Sequence, residues 1–373
     1  MELLLRRTFR SRRNYWAAFA SELGGPVLRS WSNALAEGPC SKPCDWRKAL
    51  LVGANHIGDI LYLTGSIEAL AQAFPACRLH IVSSAPASEV VERNPEIERV
   101  HRFELPRSRR SAGFEILKAE RYDAAICYDS GMYFRPLKLA VALGIPNRVG
   151  YVHKGFSGWV THPIRIQYPK PYAAYFRDLV AQLSGRAASW SLRPVVGASE
   201  ADQRDAAECR RMLGFGSTSR IVPCFVSTRQ PTGVWPTDYY AKLMRMLEAR
   251  GIDVVLCGAA SDRETLEALR SDSRIKAPVI AGELGLRALV EFLRGCRAVI
   301  CPDSGPRHLA NAAGVPVFFF RNLRSSRVES GEYCETEHDF APDAEFVAPE
   351  RQGPFLRQKK AEEVMAAIDE VIH

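Results

Sequence analysis

Short apolar runs alternate with amphipathic segments along most of the chain. Residues 49–53 read as a strand. Residues 60–74 read as a helix, with apolar positions at Ile60, Leu63, Ile67, Leu70 and Phe74. Strands are predicted over 78–83, 100–103, 124–128 and 148–151, with a helical segment at 87–93 and a helix ending at Gly144. The pattern weakens over 152–196, where Pro163, Pro169, Pro171 and Pro194 interrupt it around one helical stretch at 172–183, and this part reads as a connection. The alternation then resumes. Strands are predicted at 221–227, 253–257, 279–281, 298–301 and 315–320, and helices at 237–250, 262–270, 286–294, 307–313 and 359–372. Alternating strands and helices imply parallel sheets covered by helices, here in two doubly wound α/β halves. In such sheets ligands bind beyond the carboxyl ends of the strands, which directs attention to the loops there.

The composition fits this reading. With 373 residues, 47% of them hydrophobic, the chain can bury two domain cores, and a net charge of +8 favours an anionic partner. The charge is uneven: residues 1–30 contain Arg6, Arg7, Arg10, Arg12, Arg13 and Arg29 against only Glu2 and Glu22, with Tyr15, Trp16 and Phe19 among them. Either a contact with an anionic membrane surface or a solvated extension fits that segment. No apolar run is long enough to span a bilayer, and no signal-peptide pattern is present. Of the ten Cys, Cys127, Cys224, Cys257 and Cys301 fall in or beside strand-like runs. They read as small buried hydrophobes in a reducing, cytosolic compartment.

Three loops follow strand ends. The first is GANHIGD, residues 53–59. Its glycines have the spacing of a phosphate loop, but Asp59 and Ile60 stand where that motif needs Lys and Ser or Thr. Asp59 reads either as a helix N-cap, which the spacing favours, or as a general base on a substrate hydroxyl. The second loop contains Asp303, Ser304, Gly305, Pro306, Arg307 and His308 at the start of a helix, a ready anion site to which Arg307 and His308 add charge or donors. In the third, Ser227, Thr228 and Arg229 offer hydroxyls and a cation for a phosphate, while Trp235 reads as a core anchor. No D-x-D pair, Walker lysine, G-x-G-x-x-G or H-E-x-x-H occurs. His56, His80 and His101 read as ordinary loop or strand residues rather than metal ligands. Nucleic-acid binding has no motif to support it.

Three stretches in register resemble glycosyltransferase family nine, the lipopolysaccharide heptosyltransferases: LLVGANHIGDILYLTGSIEALAQAFP, VWPTDYYAKLMRMLEARGIDVVLCGAASDRE, and VIAGELGLRALVEFLRGCRAVICPDSGPRHLANAAGVPVFFF. The Asp-Ser-Gly-Pro-x-His core of the last is the most specific. The resemblance implies a GT-B fold of two Rossmann-like domains with the active site between them: a basic extension over 1–48, an acceptor domain over 49–195 and a nucleotide-sugar domain over 196–373. It implies transfer of heptose from ADP-heptose to a lipid-linked core acceptor, with inversion and with neither metal nor cofactor, by a cytoplasmic enzyme peripheral to the inner face of the bacterial inner membrane; the same fold acting on another nucleotide sugar or acceptor, or a catalytically silent nucleotide- or lipid-binding member, is the alternative.

Carried over onto this chain, Asp59 matches the catalytic base. Ser304 and Gly305 match the donor diphosphate loop, with Asp303, Pro306, Arg307 and His308 around them, and Asp262 or Glu264 falls near the ribose-contacting acid. On the acceptor side, Arg107, Arg109 and Arg110 cluster in one loop and Lys154 lies in another, and they read either as contacts for phosphates or acidic sugars of the acceptor or as a solvated basic loop, with His56 in the Asp59 loop. One departure bears on chemistry: the family lysine two residues before the Trp-Pro pair is Gly233 here, and Arg229 or Arg307 is expected to replace its charge.

Overall fold

A computed structural model of the chain describes residues 12–53, 56–128, 134–152, 155–167, 169–216, 218–227, 234–348 and 351–372. Lys154, Thr228, Arg229 and Gly233 lie outside these residues. The chain divides into two compact units, one comprising residues 1–168 and 172–192, the other 169–171 and 193–373.

The first unit is a six-stranded sheet of order β3-β2-β1-β4-β5-β6, from β1 (Lys48–Val52), β2 (Arg78–Val82), β3 (Ile97–His101), β4 (Ala124–Cys127), β5 (Asn147–Tyr151) and β6 (His162–Ile164). Every pairing is parallel. The second unit repeats the plan in order β12-β11-β10-β7-β8-β9, from β7 (Ile221–Phe225), β8 (Asp253–Gly258), β9 (Val279–Ala281), β10 (Val299–Pro302), β11 (Val317–Phe320) and β12 (Glu337–Asp339). Parallel strands buried on both faces read as continuous apolar runs, and the fully buried β4, β7, β10 and β11 follow that rule. In each unit the strand order reverses at one place, between β1 and β4 and between β7 and β10. These are the topological switch points, where a crevice opens for a ligand.

The stretch read as a connection is largely part of the first unit. His162–Ile164 forms the sheet-edge strand β6, and Tyr172–Ser184 is a helix of the same unit. Pro163 hid the strand, since a proline reads as a breaker, yet an edge strand tolerates one. The single helix expected over 60–74 is two, Ile57–Thr64 and Ile67–Ala73, broken at Gly65–Ser66. The helix Glu200–Met212 carries a signal that pattern reading passed over, the capping box of Ser199 and Asp202.

The described part of the N-terminal extension is ordered, not a solvated arm. Two helices, α1 (Arg12–Leu23) and α2 (Gly25–Ala34), are fixed to the first unit. Phe156 N–H donates to Ser21 Oγ, and Ser157 donates through N and Oγ to Glu22, each at 2.8 Å. Arg148 on β5 is fully buried and donates to Trp159 O, Ile145 O, Pro146 O, Ser32 Oγ and Asn33 Oδ1. Gly158 lets the backbone approach: a Cβ there would lie 2.5 Å from Gly25 O and 3.0 Å from Leu28 Cβ.

Trp235 is the core anchor its pattern suggested. It stacks on Phe320 at 4.4 Å between ring centroids, and its indole N–H donates to Lys359 O at 2.9 Å. Its partner at the far end of the chain ties the C-terminal helix, Ala361–Ile372, to the second unit. Cys127, Cys224, Cys257 and Cys301 are buried as free thiols, and burial pushes the last three above the usual thiol range.

Candidate active site

GANHIGD leaves β1 at the first switch point. Gly53 is required for a reason unrelated to phosphate: any Cβ there would overlap the ring of Tyr128, which follows β4. Gly58 lies inside the helix α3 (Ile57–Thr64), not in a loop. The phosphate-loop spacing is therefore coincidental. The N-cap of α3 is His56, exposed and with extended backbone, and it makes no side-chain cap bond. Asp59, read as the cap on spacing alone, is instead the third residue of the helix and partly exposed. An acid in the first turn gains from the helix dipole.

Arg107, Arg109 and Arg110 lie in an exposed turn after β3. β3 is the edge strand, with β2 between it and β1. At ordinary strand spacing this sets the end of β3, from which that loop departs, roughly 10 Å to the side of β1.

The second unit's switch point carries the other loop. β10 ends at Pro302, and Ser304 is the N-cap of α12 (Gly305–Ala313, numbering helices in chain order) with Pro306 in its first turn. Asp303, Ser304, Gly305 and Pro306 are half-buried. Among the described residues no acceptor takes the backbone N–H of Ser304 or Gly305, while Arg307 N–H already bonds Ser304 O at 3.0 Å. Two N–H groups at a helix start thus remain to meet an anion.

Arg307 and His308 do not supply the charge expected of them. Arg307 is fully buried. Its Nε donates to Glu337 Oε1 at 2.6 Å, Nη1 to Asp303 Oδ1 at 2.9 Å and Ser330 O at 2.8 Å, and Nη2 to Gly331 O at 2.5 Å and Glu337 Oε2 at 3.0 Å. A guanidinium has five N–H donors, and all five are taken. Its face lies 3.7 Å from the Phe319 ring centroid. No donor is left for a phosphate. Burial raises the Asp303 carboxyl above its ordinary range, and Arg307 pulls it back. His308 is buried, and burial, with Arg307 beside it, holds its ring well below the usual histidine range and hence neutral. Its Nδ1 lies 2.7 Å from Tyr333 Oη.

Glu337, which no motif marks, organises this loop. Besides Arg307 it accepts from Asn311 Nδ2 at 2.7 Å and from Tyr333 N–H at 2.6 Å. The arrangement fixes the path of α12 so that Ser304 and Gly305 stand at the end of β10. Arg193 secures the other end of α12, where its Nε donates to Asn311 O at 3.1 Å. Ser227 follows β7, half-buried, on the other side of the switch point. Asp262 follows β8, half-buried, and accepts from Ala259 N–H at 2.9 Å, whereas Glu264 two residues further is exposed.

One group of side chains has metal-like spacing. His80, His101 and Glu120 offer ligand atoms within 4.8 Å of one another. It is a hydrogen-bond network nonetheless: the Tyr122 hydroxyl lies 3.0 Å from His80 Nδ1 and 2.8 Å from His101 Nε2, and Glu120 pairs with Lys48 and Arg99. Two cations on the one carboxylate oppose a third. Burial lowers His80 and brings His101 down to about 4. The unfolded chain titrates these rings near 6.5. It therefore binds more protons than the fold between about pH 6.5 and 4, so their contribution is complete above 6.5 and is lost as pH falls through that window. The unfolding midpoint is expected to drop across it, and less steeply in His80→Gln/His101→Gln. Equal slopes would contradict this assignment.

The comparisons with known proteins agree with the geometry. The family model for glycosyltransferase family 9 (heptosyltransferase) matches residues 110–319. The chain is 26% identical over 301 residues to lipopolysaccharide heptosyltransferase 2 of Escherichia coli K12, covering 72% of this chain and 81% of that protein. Among solved structures it resembles a glycosyl transferase family 9 protein of Veillonella parvula (TM-score 0.76, 20% identity, 89% of this chain and 99% of that one). It also resembles the ADP-heptose lipopolysaccharide heptosyltransferase II of E. coli (TM-score 0.68, 20% identity, 87% and 98%). Two Rossmann-like units, each with a loop at its switch point, are the domain content of a GT-B glycosyltransferase. The chain belongs to glycosyltransferase family 9, the heptosyltransferase family.

Proposed function

We propose that the protein transfers a heptose from ADP-heptose to a lipid-linked lipopolysaccharide core acceptor, with inversion and without a metal, at the membrane's cytoplasmic face. The observation that carries this reading is the pairing of chemistries at the two switch points: a partly exposed carboxylate, Asp59, on the first unit, and two backbone N–H groups, at Ser304 and Gly305, on the second. Asp59 accepts the proton of the acceptor hydroxyl as oxygen attacks the anomeric carbon. The bond to the diphosphate breaks on the opposite side, and Ser304 and Gly305 receive the charge that develops there. With Arg307 bound to Glu337, Arg229 remains the candidate for the charge of the family lysine missing at Gly233. Asp262 is the better placed of the two acids for the ribose, since it stands at the strand end. Arg107, Arg109, Arg110, Lys154 and His56 serve the acceptor.

The test is transfer to a deacylated lipopolysaccharide core from a panel of nucleotide sugars, with the product's anomeric configuration read by NMR and a chelator arm alongside. ADP-heptose should be the donor used, with inverted configuration and a rate unchanged by chelator. Turnover of another donor, retention, or loss of rate with chelator would each overturn the corresponding part.

A further inference from the structure

The helices α1 and α2 are built inside out. Gly24, Gly25 and Pro26 separate them, yet the winding runs nearly through: Gly24 N–H donates to Ala20 O at 3.0 Å and Leu28 N–H to Gly24 O at 2.9 Å. Trp16, Ala20, Leu23, Val27 and Trp31 therefore follow one another at spacings of four, three, four and four residues, a single stripe along both helices. That stripe faces outward: Trp16 is 60% exposed, Leu23 72%, Val27 73% and Trp31 51%. The side held against the first unit buries one large aromatic, Tyr15, which packs with Ala18 against Phe156, and is otherwise small and polar, with Ser21, Gly25 and Ser32 buried. A helix on a soluble protein does the reverse, burying its large apolar residues. The exposure does not come from loose attachment, because Ser21, Glu22, Ser32 and Asn33 are all bonded to the unit beneath.

We infer that this stripe is a docking surface for an anionic bilayer. Apolar side chains with tryptophans near both ends of the stripe suit the interface, where an indole lies with its ring among the acyl chains and its N–H toward water. The charge is complementary: residues 1–34 carry six arginines and only two acids, and one of these, Glu22, is engaged by Ser157. Apolar insertion and basic charge together supply the two signals that stable surface binding needs. The inference deepens the proposed function, resting on it only for the lipid-linked acceptor that such docking would bring within reach.

Co-sedimentation of the full chain with vesicles tests it, with no nucleotide sugar present, so that failure here is separate from failure of the transfer reading. Wild type should bind vesicles of phosphatidylcholine with phosphatidylglycerol, weaken in high salt, and bind pure phosphatidylcholine poorly. The variant Trp16→Ser/Leu23→Ser/Val27→Ser/Trp31→Ser changes only exposed positions. It should lose at least about tenfold in vesicle affinity, the order expected from removing this much buried apolar surface, while keeping wild-type turnover on the deacylated acceptor. Wild-type failure to bind anionic vesicles, or undiminished binding by the variant, would overturn the inference. So would a dimer in sedimentation velocity that the variant abolishes, since the stripe would then cover a second copy of the chain.

Discussion

Asp59→Asn is expected to lower turnover by about 10²–10⁴-fold while leaving ADP-heptose affinity near wild type. Asn matches Asp in shape but cannot hold the proton that the attacking hydroxyl must lose. The alternative, that Asp59 serves only the helix it begins, predicts something else. His56 is the N-cap of α3, and the charge of Asp59 in the first turn is a matter of about 0.3–1 kcal/mol of stability. That is a shift of a few degrees in unfolding temperature and nothing in rate. The two readings thus differ by orders of magnitude in turnover and can be separated without a structure of the variant. Equal losses in turnover and donor affinity would move Asp59 out of the base role and into donor binding.

Arg307→Ala is expected to destabilise the second unit by about 3–5 kcal/mol, the range for removing one partner of a buried ion pair. Glu337, also buried, would keep a charge with no cation beside it, Asp303 Oδ1 would lose its guanidinium donor, and so would the carbonyls of Ser330 and Gly331. Arg307→Lys should recover little. An ammonium has three donors where five are in use, and it cannot reproduce the forked contact with Glu337. Urea denaturation would read the loss as a lower midpoint. A stable Arg307→Ala protein with weakened donor binding would restore the arginine to the phosphate site and remove it from the scaffold.

The sequence shows the strands well because parallel strands buried on both faces leave continuous apolar runs, as in Ile221–Phe225 and Val317–Phe320. It shows the loops at the switch points because they follow those runs. It misreads what depends on distant partners. Arg307 beside a glycine-containing helix start looks like a phosphate ligand until Glu337, thirty residues on in the polar strand Glu337–Asp339, is seen to hold it. Gly53 looks like a phosphate-loop glycine until Tyr128 is seen against it. Pro163 looks like a breaker because nothing local says that β6 is an edge strand. The stripe on α1 and α2 escapes for another reason. Periodicity marks an apolar face but cannot tell whether that face turns inward or outward, and here the bulky face turns out.

The measurement that bears most directly on the central claim is ADP release from ADP-heptose, with and without the deacylated core acceptor, by wild type and Asp59→Asn side by side. The account predicts release by wild type that depends on the acceptor, and a fall of about 10²–10⁴-fold in the variant with nucleotide binding retained. Release that proceeds equally without acceptor, or an Asp59→Asn rate close to wild type, would contradict it.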